Sequence, residues 1–207
     1  MGLRRATLVL ILGTSYTVLH KALHAVFPAL ARSPVASAVA STLWVVAALA
    51  LALFAFTFLR EVRPLDRALR DSLIGVVVFT GVVVLSKLPV LAALSAGVGH
   101  RLVFGGASTL NAIALLVFAV SLSRRLQEGS SLLAPLRLLT WGLRLTIALD
   151  LAAAGYLAVY LLAGREVPPL PLLQPLAMLS FVFTHAMTLW FLILFWRVDD
   201  YAALVRR

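Results

Sequence analysis

The chain has 207 residues, 62% of them hydrophobic, and a mean hydropathy of +1.04; soluble domains carry roughly 45 to 50% apolar residues. A water-soluble globular protein is therefore excluded. The absence of Cys removes disulfides, thiolate metal sites, iron–sulfur ligation and thiol catalysis. A net charge of +10 would suggest a nucleic-acid partner in a soluble protein. Here 16 of the 18 basic residues are Arg and most flank apolar runs, so the charge reads as membrane orientation and no nucleic acid is expected.

Six apolar segments follow one another, at about 6–27, 35–59, 72–96, 102–122, 143–163 and 173–196. Each is near the roughly 20 residues that a helix needs to span a bilayer. None alternates apolar and polar residues as a barrel strand does, and lipid tolerates only helices or closed barrels. The sequence thus predicts an all-α, polytopic membrane protein, a single transmembrane domain over 1–207 with six helices arranged as three hairpins.

The first segment follows Arg4 and Arg5 and precedes Ala29-Leu30-Ala31, a pattern that imitates a secretory leader. The gap from Leu19 to Ala31 is too long for a cleavage region, so this segment is expected to stay as a span. Tyr16, His20 and His24 are spaced four apart, which places them in one stripe of a helix with Lys21 beside it. The run Lys21-Ala22-Leu23-His24 is similar to one near the start of some haem-associated or copper-associated membrane proteins, over four residues alone, and no residue role is carried over from it.

The links between segments differ in charge. Twelve Lys and Arg fall on the side of the N-terminus, of the links at 60–71 and 124–137, and of the C-terminus, against four on the other side. Both termini are accordingly expected in the cytoplasm, with the chain a multi-pass protein of the cell's inner (plasma) membrane. The link from Arg60 to Asp71 alternates in sign and reads as a solvated helical extension with i,i+4 pairs, or as a contact for anionic lipid at the cytoplasmic face. In the second such link Gly129, Ser130 and Ser131 form a flexible start and Pro135 opens a helix. Arg137, Trp141 and Arg144 then share a face suited to the membrane interface, Arg144 serving as an anchor. Ala40-Ser41-Thr42-Leu43 recurs as Ala107-Ser108-Thr109-Leu110, with an echo at Met187-Thr188-Leu189-Trp190, which raises a threefold hairpin repeat.

Ionisable groups inside lipid cost at least about 2.5 kcal/mol each on insertion scales and so call for a reason. Lys87 lies deep in the third segment, two residues before Pro89, whose missing N–H leaves a carbonyl open. Asp150 lies in the fifth segment, with Tyr156 and Tyr160 further along; a Lys87–Asp150 ion pair would lower the cost of both charges. Asn111, with Ser108 and Thr109, suits hydrogen bonding between helices. Thr184, His185 and Thr188 form a polar patch near mid-bilayer. Ser37 and Ser41, and Gly105 and Gly106, read as close-packing positions.

Three readings of function follow. Lys87, Asn111, Asp150, Tyr160 and His185 would line a path for an ion or small solute. Alternatively, His100 with His20 or His24 would ligate a b-type haem, Lys21 and Arg101 meeting its propionates, or His20, His24 and His100 would bind zinc or copper; the chain would then be an electron carrier or sensor. In the third reading the chain is an accessory or signal-input subunit, its partners the lipid bilayer, a membrane protein or a second copy of itself. No nucleotide loop, HExxH helix, GxSxG turn or acidic pair occurs, so enzymatic chemistry has no support in the sequence.

Overall fold

A computed structural model describes residues 2–26, 34–62, 66–85, 98–163, 173–199 and 201. These residues form six helices and no strand: α1 (Leu3–Val26), α2 (Pro34–Glu61), α3 (Arg67–Leu85), α4 (Val98–Ser123), α5 (Leu133–Leu162) and α6 (Leu173–Trp196). Each is long and apolar enough to cross a membrane, and each turns bulky apolar side chains outward. Leu12 in α1, Leu49 in α2, Val78 in α3, Ile113 in α4, Leu151 in α5 and Leu179 in α6 are all exposed. An apolar exterior is what lipid requires, and the chain is a multi-pass integral membrane protein in contact with the bilayer.

Neighbours in sequence pack against one another from α1 to α6, and α1 also packs against α6. The six helices therefore close into a ring. We call the side where α1 begins and α6 ends the near side, and the opposite one the far side.

Close approach is set by small residues. A Cβ on Gly13 would lie 3.0 Å from the Ala47 backbone of α2, one on Gly75 3.2 Å from Ala114 of α4, and one on Gly142 2.6 Å from Thr184 of α6. Each hairpin thus has one crossing at which a glycine of the odd helix admits the even one. Gly105 and Gly106, expected as close-packing positions, meet no atom of the described residues within 4 Å; both are exposed.

The near half of the ring is solid. Phe58, Phe195, Leu3, Leu69, Leu122 and Leu136 are each less than 2% exposed, and an aromatic cluster fills the space between them. Phe58 stacks on Phe195 at 5.9 Å and meets Phe118 edge-on at 5.5 Å, while Tyr201, beyond α6, stacks on Phe195 at 4.8 Å. The Tyr201 hydroxyl is buried with no hydrogen-bond partner among the described residues, and burial pushes the phenol above its ordinary range.

Two carboxylates fasten the near-side helix ends. Glu61 of α2 accepts the Leu3 N–H at 2.8 Å, which satisfies one of the open donors at the start of α1. Asp66 caps α3 by accepting the Leu69 N–H at 2.7 Å, and its other oxygen receives Nε and Nη2 of Arg125 at 2.9 and 2.7 Å. The amide of Leu69, with the Arg125 guanidinium second, holds the Asp66 carboxyl below the usual carboxylate range. The 60–71 link is thus not one helical extension: α2 stops at Glu61 and α3 starts afresh at this cap, although the expected i,i+4 pair Arg67–Asp71 is present at 3.5 Å.

Helix α5 starts at Leu133, ten residues ahead of the apolar segment at 143–163 and close to Pro135, the expected helix opener. Leu132, Leu136, Leu139 and Leu143 are buried at spacings of four, three and four, so the stretch is one amphipathic helical stripe. Its outward face carries Arg137, Trp141 and Arg144, all exposed, with the Arg144 guanidinium 5.0 Å from the Trp141 ring centre. Ahead of it, Gly129 takes a φ of 90° in the turn from α4, a conformation that side chains disfavour. The three copies of the suspected repeat lie at different depths: the helical rise puts Thr42, Thr109 and Thr188 about 28, about 21 and about 12 Å from the near-side ends Glu61, Ser123 and Trp196.

Candidate functional site

Above the aromatic floor the ring encloses a cavity of roughly 440 Å³ to which all six helices contribute. Its floor is Leu10, Phe54, Phe118, Leu139 and Phe191. Higher up the lining turns polar: Thr14, Thr80, Asn111, Thr146, Thr184 and His185 all face it. These six share one level, because the helical rise puts each about 18 Å from the near-side end of its own helix. That level is close to mid-bilayer. A layer nearer the far side includes Trp44, Ser108, Asp150 and Phe181.

The hydroxyls of this belt are tied across helix boundaries. The Thr146 hydroxyl donates to the Gly142 carbonyl at 3.0 Å, and its oxygen lies 2.8 Å from Ser180 Oγ and 3.4 Å from Thr184 Oγ1. Ser180 and Thr184 are one turn apart on α6, so Thr146 sits against both. Thr80 of α3 donates to Asn111 Oδ1 of α4 at 3.4 Å. Thr109 of α4 reaches Asp150 Oδ2 of α5 at 3.3 Å, while also bonding to its own helix at Gly105. Asp150 forms no ion pair among the described residues.

His185 has its tautomer set locally. Its Nδ1 lies 2.8 Å from the Phe181 carbonyl, and a carbonyl can only accept, so Nδ1 carries the proton and the neutral ring keeps its lone pair on Nε2. The Phe181 and His185 ring centres lie 3.9 Å apart with the planes tilted by 31°, and the Lys21 ammonium lies 5.7 Å from the Phe181 ring centre. Lys21, an exposed residue of α1, therefore rests on α6 at the seam that closes the ring, in an arrangement that favours a cation over an aromatic face.

Of the five residues expected along a solute path, Asn111, Asp150 and His185 come together in this cavity. Lys87 and the Tyr160 side chain lie outside the described residues, and with Lys87 the expected Lys87–Asp150 pair. Of the expected haem or metal ligands, His20 stacks on Tyr16 at 5.8 Å. His24 belongs to α1, and His100 and Arg101 to α4, but their side chains lie outside the described residues. These two helices stand on opposite sides of the ring and do not pack as a pair. No group of three His, Asp or Glu suited to a metal ion occurs among the described residues.

Sequence reasoning missed Thr14, Thr80, Thr146, Ser180 and Trp44 as cavity residues. The signal was faint but present: each hydroxyl stands inside an otherwise apolar span, where a polar group finds a partner on a neighbouring helix or a wet surface. No family model matches the chain, and neither a curated protein nor a solved structure is significantly similar to it.

Proposed function

We propose that the chain moves a small polar or charged solute across the membrane through the centre of the ring. The observation that supports this most directly is the cavity itself, polar at mid-span and lined by all six helices. Hydroxyl, amide, carboxylate and imidazole groups in an apolar bundle are costly to keep there, and such groups mark substrate paths in membrane proteins. The near-side aromatic floor supports a carrier that opens to one side at a time, because a solute in the cavity meets Phe54, Phe118 and Phe191 before it could leave on that side. On this reading the near side, with its excess of Arg, faces the cytoplasm of a cell's inner membrane and its anionic lipid.

The test is uptake into proteoliposomes of a panel of small amines, amino acids, polyols and carboxylates. Thr146→Trp, which fills the cavity, and Asp150→Leu, which removes its carboxylate, are expected to abolish the uptake seen with the unaltered chain. The thermal transition of each variant in detergent shows whether the fold is kept. Uptake equal to that of protein-free liposomes across the panel would overturn the proposal, as would undiminished uptake by the Thr146→Trp protein.

A further inference from the structure

Asp150 supplies the one acidic side chain among the described residues that line the cavity, and no described cation compensates it. A carboxylate in a bilayer-spanning bundle is held by a proton, by a cation or by water. Opposite it stands Trp44. The helical rise puts both at the same level, about 25 Å from the near-side ends of their helices at Leu133 and Glu61, and α2 and α5 face each other across the ring. At this level the cavity thus has a carboxylate on one wall and an indole on the other. The Thr109 hydroxyl steadies one carboxylate oxygen.

The size and lining decide the kind of cation. A transition-metal ion asks for a close shell of imidazole, thiolate or carboxylate ligands, and no group of three such side chains occurs among the described residues. A cavity of roughly 440 Å³ with Trp, Phe and Leu walls and a few fixed polar groups has the size and make-up of a site for a small organic molecule. The indole face attracts an ammonium group and tolerates its alkyl substituents. We infer that the cavity binds a small organic cation, its ammonium group between the Asp150 carboxylate and the Trp44 indole and its apolar part among the neighbouring aliphatic side chains. The inference names the substrate class for the transport reading above and rests on it.

Equilibrium binding to the purified full chain in detergent tests this without any flux. Titration calorimetry with tetramethylammonium and n-butylammonium chlorides is expected to show saturable binding of at least one of them, whereas tert-butanol and sodium butyrate, similar in size but neutral or anionic, are expected to show none. Asp150→Asn is expected to weaken cation binding by about thirtyfold or more, as truncating one partner of a desolvated charge pair does. Trp44→Leu should weaken it about fivefold, and Trp44→Phe less, in keeping with cation–π attraction. A fold check by circular dichroism accompanies each variant, and Trp44→Phe serves if the Asn variant unfolds. Absence of saturable binding of either cation, or equal affinity in Asp150→Asn, would overturn the inference. Cation binding without uptake would leave the inference and remove the transport proposal; uptake of a neutral or anionic solute without cation binding would do the reverse.

Discussion

Gly142→Ala offers the sharpest test of how the ring is held together. A methyl at this position would lie 2.6 Å from Thr184 Oγ1 and 3.1 Å from a Phe183 ring carbon, where ordinary contact begins at 3.4 Å. Either the Thr184 hydroxyl turns away and gives up its contact with Thr146, or helices α5 and α6 part by about 0.8 Å, which would stretch the 2.8 Å Thr146–Ser180 contact beyond hydrogen-bond range. Overpacking of this kind costs about 1 to 3 kcal/mol, and the broken contact about 0.6 kcal/mol more, the average for side-chain hydrogen bonds between membrane helices. Against that stands the gain from replacing a helical Gly by Ala, at most about 1 kcal/mol. With that gain taken in full, the net expectation is a loss of about 0.6 to 2.6 kcal/mol. Gly105→Ala and Gly106→Ala, where no atom of the described residues lies within 4 Å, supply controls expected to be neutral or stabilising. Reversible unfolding in mixed micelles would read all three. Adding Thr184→Ala to Gly142→Ala removes the nearer obstacle and should recover about half of the loss, since the Phe183 contact remains. A Gly142→Ala protein as stable as the two controls would refute the close approach of α5 and α6 at the cavity wall.

Two further predictions concern the near side. The Asp66 carboxyl is held below its usual range in the folded chain, so the stability it contributes is present above about pH 4 and is lost as pH falls through and below that value. Asp66→Asn keeps an acceptor for the Leu69 amide but drops the charge that Arg125 meets, so its thermal stability should fall less steeply with acid than that of the unaltered chain; parallel acid limbs would count against the pairing. Both side chains are partly exposed, which limits the pair itself to roughly 0.2 to 1 kcal/mol at neutral pH. Tyr201→Phe removes a buried hydroxyl that has no partner among the described residues and keeps the stacking on Phe195. It is expected to stabilise the fold by about 1 kcal/mol, the cost of an unmet buried polar group, and a destabilised variant in the same unfolding assay would contradict that.

Much of the fold could be read from the residues because lipid restricts what a chain can do. The sixth apolar segment covers 173–196 and α6 is Leu173–Trp196, since a long apolar run bounded by polar residues has one reading in a bilayer. At α5 the apolar run alone begins too late, whereas Pro135 marks the helix start to within two residues. Arg137 and Arg144 break the apolar run, yet the helix continues through them because Leu132, Leu136, Leu139 and Leu143 bury one face while Arg144 lies along Trp141. The start of α3 was signalled by Asp66, whose side chain suits an N-cap, but alternating charge on both sides obscured it. The site was less legible. Asn111, Asp150 and His185 could be chosen for their cost in lipid, but whether they converge depends on the rotation of α4, α5 and α6 about their axes. Rotation follows from close approaches such as Gly142 against Thr184, and the members of such a pair stand far apart in the chain with nothing in the sequence to join them. Closure of the ring by α1 and α6 was invisible for the same reason.

That seam also orders the birth of the molecule. Ribosomes deliver spans in sequence, so Thr146 and Asp150 of α5 are in the bilayer before Ser180 and Thr184 of α6 exist to cover that flank. Until then the hydroxyl of Thr146 lacks its α6 partners, and the wall that α6 will form, between α5 and α1, is open to lipid. A charged Asp150 exposed there would cost at least about 2.5 kcal/mol. The polar interior is therefore complete only once α6 packs between the first span made and the one just before it, and until then protonation of Asp150 would lower that cost.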